Sequence, residues 1–381
     1  MIIAVPKEIA PGEARVALTP DVVKRLIKKG LEVHVQSGAG LGACMPDGDY
    51  AAVGAKMISD ARSALAEADL IVKIHRPMTH EDSGEHEIDF MKEGSILMAL
   101  LQPLAHPKTI IQLAERKVSA ISMELIPRIT RAQQMDILSS MSSVAGYKAV
   151  LLAASAFGRF FPMMTTAAGS LPPAKVLIIG AGVAGLQAIA TAKRLGAMVE
   201  AFDTRPAVKE QVQSLGATFV ELELEGEAGE DAGGYAKSLS ESSHQKELTL
   251  IYEHAKTADI IITTALVPGK QAPRLITAEM TRDMKKGSVI VDLAAVQGGN
   301  CELTQVGREI VADGITIIGA VDLAASMPIH ASQMFAKNMS QLILHLYRDN
   351  TFHIDLNDEI TQGALVTHQG QIVNDAVQSA I

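Results

Sequence analysis

Twice along this chain, short β-branched runs alternate with amphipathic segments, and few architectures accept that pattern. Apolar runs at 1–5, 31–35, 69–74, 95–101 and 118–125 make the first series. Runs at 175–180, 198–203, 218–224, 259–265, 288–294 and 315–320 make the second. Between the first two runs, TPDVVKRLIKKG (19–30) is punctuated as a helix: Thr19 suits the N-cap, Pro20 the first turn, and Gly30 the position after the last turn. HPKTIIQLAERK (106–117) predicts another helix, separating the fourth and fifth runs. Strand–helix alternation predicts parallel sheets covered by helices. The near-continuous apolar character of the second series suits strands buried on both faces.

Residues 135–162, MDILSSMSSVAGYKAVLLAASAFGRFFP, predict a helix of about 25 residues, spanning roughly 37 Å, that leads from one unit to the other. A second amphipathic helix over 332–349 provides the return, and 351–373 reads as short antiparallel strands packed on the first unit. The expected division is a discontinuous N-terminal α/β domain of 1–140 with 331–381, and a second domain of 141–330. ELELEGEAGEDAGGYAKSLSESS (221–243) is acidic and far longer than an ordinary connection of about 4–6 residues. Two readings stay open for it: a solvated loop, or a lid whose Gly234-Tyr235 tip closes over a ligand.

Composition excludes several classes. With 34 Lys and Arg against 43 Asp and Glu, the net charge of -9 argues against nucleic acid as a partner. Two cysteines, Cys44 and Cys301, cannot build a disulfide framework and fit a reducing compartment. The N-terminus lacks the basic start and apolar middle of a secretory signal, and no uninterrupted run of about 20 apolar residues is present. The 11 histidines form no metal-ligand spacing, so no metal is expected.

KVLIIGAGVAGLQAIATAKRLGA sets Gly180, Gly182 and Gly185 in G-x-G-x-x-G register between an apolar strand and a helix. Gly180 permits the tight turn, Gly182 lets a diphosphate approach the backbone, and Gly185 lets helix and strand close up. Val183 and Ala184 open the helix whose N-terminus would face the phosphates. Asp203 lies 23 residues after Gly180, at the end of the next strand, where a carboxylate accepts the adenosine ribose hydroxyls. It favours NAD over NADP, although Arg205, beyond Thr204, is a residue type that can hold a 2′-phosphate. The fold class expected is thus α/β, two Rossmann-like domains joined by long helices with a cleft between them.

PRITRAQQMDILSS (127–140) packs Arg128, Arg131, Gln133, Gln134 and Asp136 before the long helix, with no Cys or His. From spacing alone this is either a polar turn solvating a helix start, with Asp136 favoured by the helix dipole, or a device for positioning a ligand. KEIAPGEARVALTP (7–20) and VKIHRPMT (72–79) resemble stretches shared by alanine dehydrogenases and proton-translocating NAD(P) transhydrogenases, with Arg15 at an arginine found in both. The dehydrogenases carry a lysine where this chain has His75 and a histidine where it has Gln102. Transhydrogenases, by contrast, are resembled over nearly the whole chain, through PRITRAQQMDILSS, GYKAV, the glycine turn, FDTRPAVKEQVQSLGA, GGYAK, TTALVPGK and SVIVDLAAVQGGNC.

That resemblance implies an enzyme subunit that binds NAD(H) and passes hydride directly to or from NADP(H) supplied by a partner chain. No proton leaves the reacting carbons, so amides and guanidiniums that position two rings about 3–3.5 Å apart suffice. It further implies that Arg128 holds the nicotinamide carboxamide with Ser139 nearby, that Asp136 orients Arg128 or the ring, and that Gln133 reaches the NADP(H) ribose. Gly180, Gly182, Val183, Ala184, Gly185, Asp203, Thr204, Arg205, Gly234, Tyr235, Ala265 and Leu266 would bind NAD(H), with Gly298, Gly299 and Asn300 beside the ring. A plain turn remains an alternative for TTALVPGK (263–270) and for QGGNC. GAVDLAASMP (319–328) departs from the family, lacking its arginine. The implied partners are an NADP(H)-binding membrane beta subunit, a small membrane-spanning alpha subunit and a second copy of the chain. The implied location is the cytoplasmic side of a bacterial inner membrane. An amino acid dehydrogenase and a non-catalytic NAD sensor are the alternatives.

Overall fold

The structure, a computed structural model, describes residues 1–222, 240–266 and 271–380. The chain forms two compact units: Met1–Met141 with Ala324–Ile381, and Ser142–Leu323. The lid reading of 221–243 rests on Gly234 and Tyr235, which lie with 223–239 outside the described residues, while 241–243 open helix Glu241–Ala255.

The first unit is built on an eight-stranded sheet. Its order is Gln371–Ile372, Leu365–His368, Ser119–Ser122, Ile96–Leu100, Leu70–His75, Ile2–Val5, Glu32–Gln36, Lys56–Ile58. The six strands from Ser119–Ser122 to Lys56–Ile58 run parallel, as the alternation predicts, while the tail strand Leu365–His368 joins antiparallel. Period-two alternation sends Ile3, Val5, Leu70, Val72 and Ile74 into one apolar layer and Ala4, Ile71, Leu97 and Ala99 into the other. Lys73 shares the parity of Ile71 and is fully buried, where Glu87 (2.8 Å) and Glu8 (3.5 Å) neutralise it. The edge strand Lys56–Ile58 escapes a reading based on apolar runs because only two of its three residues are apolar.

The second unit carries a seven-stranded sheet in the order Thr218–Val220, Met198–Phe202, Lys175–Ile179, Ile260–Thr263, Val289–Asp292, Ile315–Gly319, Glu309–Ala312. All pairs are parallel except the last, a hairpin turning through Asp313 (φ 50°) and Gly314 (φ 79°). The Asp-Gly pair is the sequence signal for that turn, and the strand Glu309–Ala312 before it lies outside the runs read above.

The connecting helix is Ile137–Ala156, shorter than 135–162, and a hairpin of Met164–Thr166 and Gly169–Leu171 follows it. Among the described residues, it is the one helix long and apolar enough to cross a bilayer. A search for uninterrupted apolar runs passes over it because serines, Gly146 and Lys148 punctuate it. Val144, Ala149, Val150 and Ala153 are nonetheless buried within the fold. The second long helix, Pro328–Leu346, begins at a proline in its first turn, four residues before the predicted start.

Candidate nucleotide-binding site

The loops at the carboxyl ends of the parallel strands in the second unit gather Gly180, Asp203, Ala265 and Asn300, the place where open α/β sheets bind ligands. Strand Lys175–Ile179 ends at Gly180, whose φ of 94° suits glycine. A Cβ there would lie 2.6 Å from Thr264 Oγ1, and that hydroxyl donates to the Gly180 carbonyl at 3.0 Å. Gly185 sits so close beneath the turn that a Cβ would fall 1.9 Å from the Gly180 oxygen. Gly182 is different. Among the described residues its absent Cβ would meet only the Arg205 Nη2, 3.9 Å away, at the start of helix Val183–Arg194. The orphan amides of a helix's first turn are the donors that an anion such as a diphosphate takes.

Asp203 ends strand Met198–Phe202 nearly buried, and its Oδ2 accepts from Ala181 N at 2.7 Å. Arg205 folds back on the same carboxylate, donating from its backbone N and Nε to Oδ1 (2.9 Å each) and from Nη2 to Oδ2 (2.8 Å). Thr204 between them is half-buried. Across the site, Asn300 closes on Ala265 as a strand would: Ala265 N donates to Asn300 Oδ1 at 3.1 Å, and Asn300 Nδ2 donates to the Ala265 carbonyl at 2.9 Å. Leu266 follows, half-buried, and 267–270 lie outside the described residues. Gly298 and Gly299 take φ values of 98° and 79° in the turn before Asn300.

Two supports for this site escaped the sequence reading. Asp292, fully buried, accepts from Thr263 Oγ1, Ala294 N, Cys301 N and Thr304 Oγ1, and so fixes the turn carrying Asn300. Its signal is an aspartate at the end of an apolar strand, the same signal that singles out Asp203. Gly146, in the middle of the connecting helix, lets that helix touch the glycine turn: a Cβ would fall 2.1 Å from the Ala184 oxygen. It opens the GYKAV stretch of the resemblance, but nothing in that stretch tells of the contact.

In the first unit, residues Thr130–Met135 form a 3-10 turn that leads into helix Ile137–Ala156. Asp136 caps the helix, accepting from Ser139 N at 2.9 Å and Ser139 Oγ at 2.6 Å. Both carboxylate oxygens thus hold Ser139. Arg128 and Gln133 are exposed, while Ala132 and Met135 anchor the turn in the core. Tethers from distant sequence fix it: Asn338 Nδ2 donates to the Gln134 carbonyl at 2.7 Å, and Arg131 pairs with Asp358 at 2.7 Å. Burial opposes the charge on Asp358, but the Thr361 amide, His345 and Arg131 outweigh it and hold the carboxyl well below its usual range.

Arg15 is nearly buried and its fork is engaged by Glu13 (2.6 Å), which also bonds His75 Nε2 at 2.6 Å. Burial raises the Glu13 carboxyl, yet the bonds from Arg15 and His75 bring it down to about 2. Gln102 is exposed, with φ 49°. In the atypical 320–326 stretch, Ala320, Ala324 and Ala325 are buried. Among the described residues no group of His, Cys, Asp and Glu could hold a metal ion.

Residues 4–145 match the N-terminal domain of alanine dehydrogenase/PNT, and 149–375 match its C-terminal domain. An NAD(P) transhydrogenase alpha subunit polypeptide of Rhodospirillum rubrum is 49% identical over 380 residues, 99% of both chains. The crystal structure of a transhydrogenase from Sinorhizobium meliloti superposes with a TM-score of 0.88 at 42% identity, covering 98% of this chain and 100% of that one. An alanine dehydrogenase of Methanococcus maripaludis is 31% identical over 305 residues, 79% of this chain and 74% of its own.

Proposed function

The chain belongs to the alanine dehydrogenase/PNT family, and within it we propose that the protein is the NAD(H)-binding alpha subunit of a proton-translocating transhydrogenase. Hydride passes between the C4 carbons of NAD(H) on this chain and NADP(H) on a partner, as NADH + NADP⁺ ⇌ NAD⁺ + NADPH. The observation that carries this reading is the glycine turn, with Asp203 bonded to its Ala181 amide, in a chain 49% identical along its length to a transhydrogenase alpha subunit.

NAD(H), when bound, supplies or takes the hydride. The residues of this chain bind and orient. The helix that starts at Val183 and the Gly182 backbone take the diphosphate, Asp203 takes the ribose, and Asn300 sets the Ala265–Leu266 backbone beside the adenosine. Arg128 and Gln133 project from a turn held by Asn338 and Asp358, so their placement costs little ordering at the moment of reaction. The 127–140 stretch holds no Cys or His, and its one carboxylate, Asp136, is spent capping the helix. Amino acid oxidation suits the site poorly, because Glu13 occupies the Arg15 fork and His75 and Gln102 stand where the dehydrogenases are expected to carry lysine and histidine. The reading includes a second copy of the chain, a membrane beta subunit and a small membrane-spanning alpha subunit as partners, on the cytoplasmic side of a bacterial membrane.

The test mixes the purified chain with the NADP(H)-binding domain of a transhydrogenase and follows reduction of an NAD⁺ analogue by NADPH at a wavelength specific to the reduced analogue. Transfer should require both proteins and fall about a hundredfold in Arg128→Ala or Gln133→Asn, the scale of a lost positioning contact. Tight NADH binding with no transfer, where a known subunit pair reacts, would hand the case to a sensor. Turnover of an amino acid by the chain alone would hand it to a dehydrogenase.

A further inference from the structure

Both oxygens of Asp203 are saturated. Oδ1 accepts from Arg205 N and Nε, and Oδ2 accepts from Ala181 N and Arg205 Nη2. Each oxygen has about two acceptor sites, so a ribose diol finds none vacant while the guanidinium stays. The pair is shielded: the side chains are 4% and 13% exposed. Arg205 therefore stands where the ribose hydroxyls must bond. Its Nη2 also lies 3.9 Å from the point where a Gly182 Cβ would be, at the edge of the space over the helix N-terminus. A short swing of a long, flexible side chain carries it from the carboxylate to a diphosphate resting on that helix, where its planar fork pairs equally well.

Resting on the NAD(H) reading above, we propose that Arg205 is an exchangeable counter-ion. It neutralises Asp203 in the arrangement seen here, yields both oxygens to the adenosine ribose diol as the dinucleotide enters, and re-pairs with the diphosphate. The charge on Asp203 is then never buried without a partner, and the buried ion pair is exchanged for two sets of ligand bonds. An isolated diol, without phosphate, has to break the pair and gets nothing back from Arg205. A diphosphate-bearing ligand recovers the guanidinium. The two ligand halves are thereby coupled through one side chain.

The experiment compares adenosine, which carries the diol alone, with ADP, which carries diol and diphosphate, on the full chain. Affinities come from competition against NADH followed by its fluorescence, which the absence of tryptophan keeps free of background. In Arg205→Gln, adenosine should bind about threefold tighter or more, while ADP should bind about tenfold weaker, the scale of one charge-assisted contact. Arg205→Lys should keep most of the ADP affinity, since a point charge still reaches the phosphates. Shifts in the same direction for both ligands, in both variants, would overturn the exchange while leaving the NAD(H) site standing. A wild-type chain that binds no NADH would overturn both.

Discussion

Lys73 places a fully buried charge in the first unit. Burial alone would strip its proton, but Glu8 and Glu87 outweigh that and raise its affinity for the proton, so it stays an ammonium. Replacement by methionine keeps the volume and strands two buried carboxylates, which costs about 3–5 kcal/mol in chemical denaturation at pH 7. The glycines of the second unit separate in the same way. Gly182→Ala places its methyl clear of every described residue but the Arg205 Nη2 at 3.9 Å, so stability should change by less than about 1 kcal/mol while the Kd for NADH rises about tenfold. Gly185→Ala meets a carbonyl at 1.9 Å and should cost about 1–3 kcal/mol of stability before any ligand is added. Equal stability losses in the two variants would contradict the assignment of one position to the ligand and the other to packing.

At the scale of an element, the connecting helix Ile137–Ala156 sets propensity against contact. An alanine at Gly146 would favour the isolated helix by about 1 kcal/mol. The same methyl would stand 2.1 Å from the Ala184 oxygen, and overpacking of that kind costs about 1–3 kcal/mol. Contact wins, so Gly146→Ala should lower the melting temperature and weaken NADH binding, since the glycine turn itself must move. A more stable variant with unchanged binding would show that the helix yields instead. The 127–135 turn is held by the opposite logic. Asn338 and Asp358, more than 200 residues away in sequence, bond Gln134 and Arg131 and so tie the turn that carries Arg128 and Gln133.

For the whole molecule, Glu13 is one contributor to acid stability. Its carboxyl is held at about 2, below the 4.5 of an unperturbed glutamate, so its contribution is complete above pH 4.5 and is lost as pH falls toward 2. The stability difference between wild type and Glu13→Gln should therefore be constant from pH 7 to pH 5, then shrink by about 1.4 kcal/mol per pH unit below 4.5. Urea denaturation at pH 6, 4.5 and 3.5 measures it. A difference independent of pH would mean that Arg15 is neutralised by some other group.

How much was legible in the sequence follows from the range of the interactions. The parallel strands, the glycine turn and Asp203 were readable because each rests on local physics: β-branched runs favour buried strands, and Gly180 sits at a φ that glycine takes readily. The hairpin strand Glu309–Ala312 carried its signal too, in Asp313-Gly314, though an apolar-run search looks past it. What only the tertiary structure decided is who meets whom. The closure of Arg205 on Asp203, the clasp of Asn300 on Ala265, the contact at Gly146 and the tethers from Asn338 and Asp358 join residues by folding rather than by pattern. Residue type shows that a side chain can donate or accept. Which partner it finds is settled when buried polar groups must all be satisfied at once, and that is a property of the packed chain.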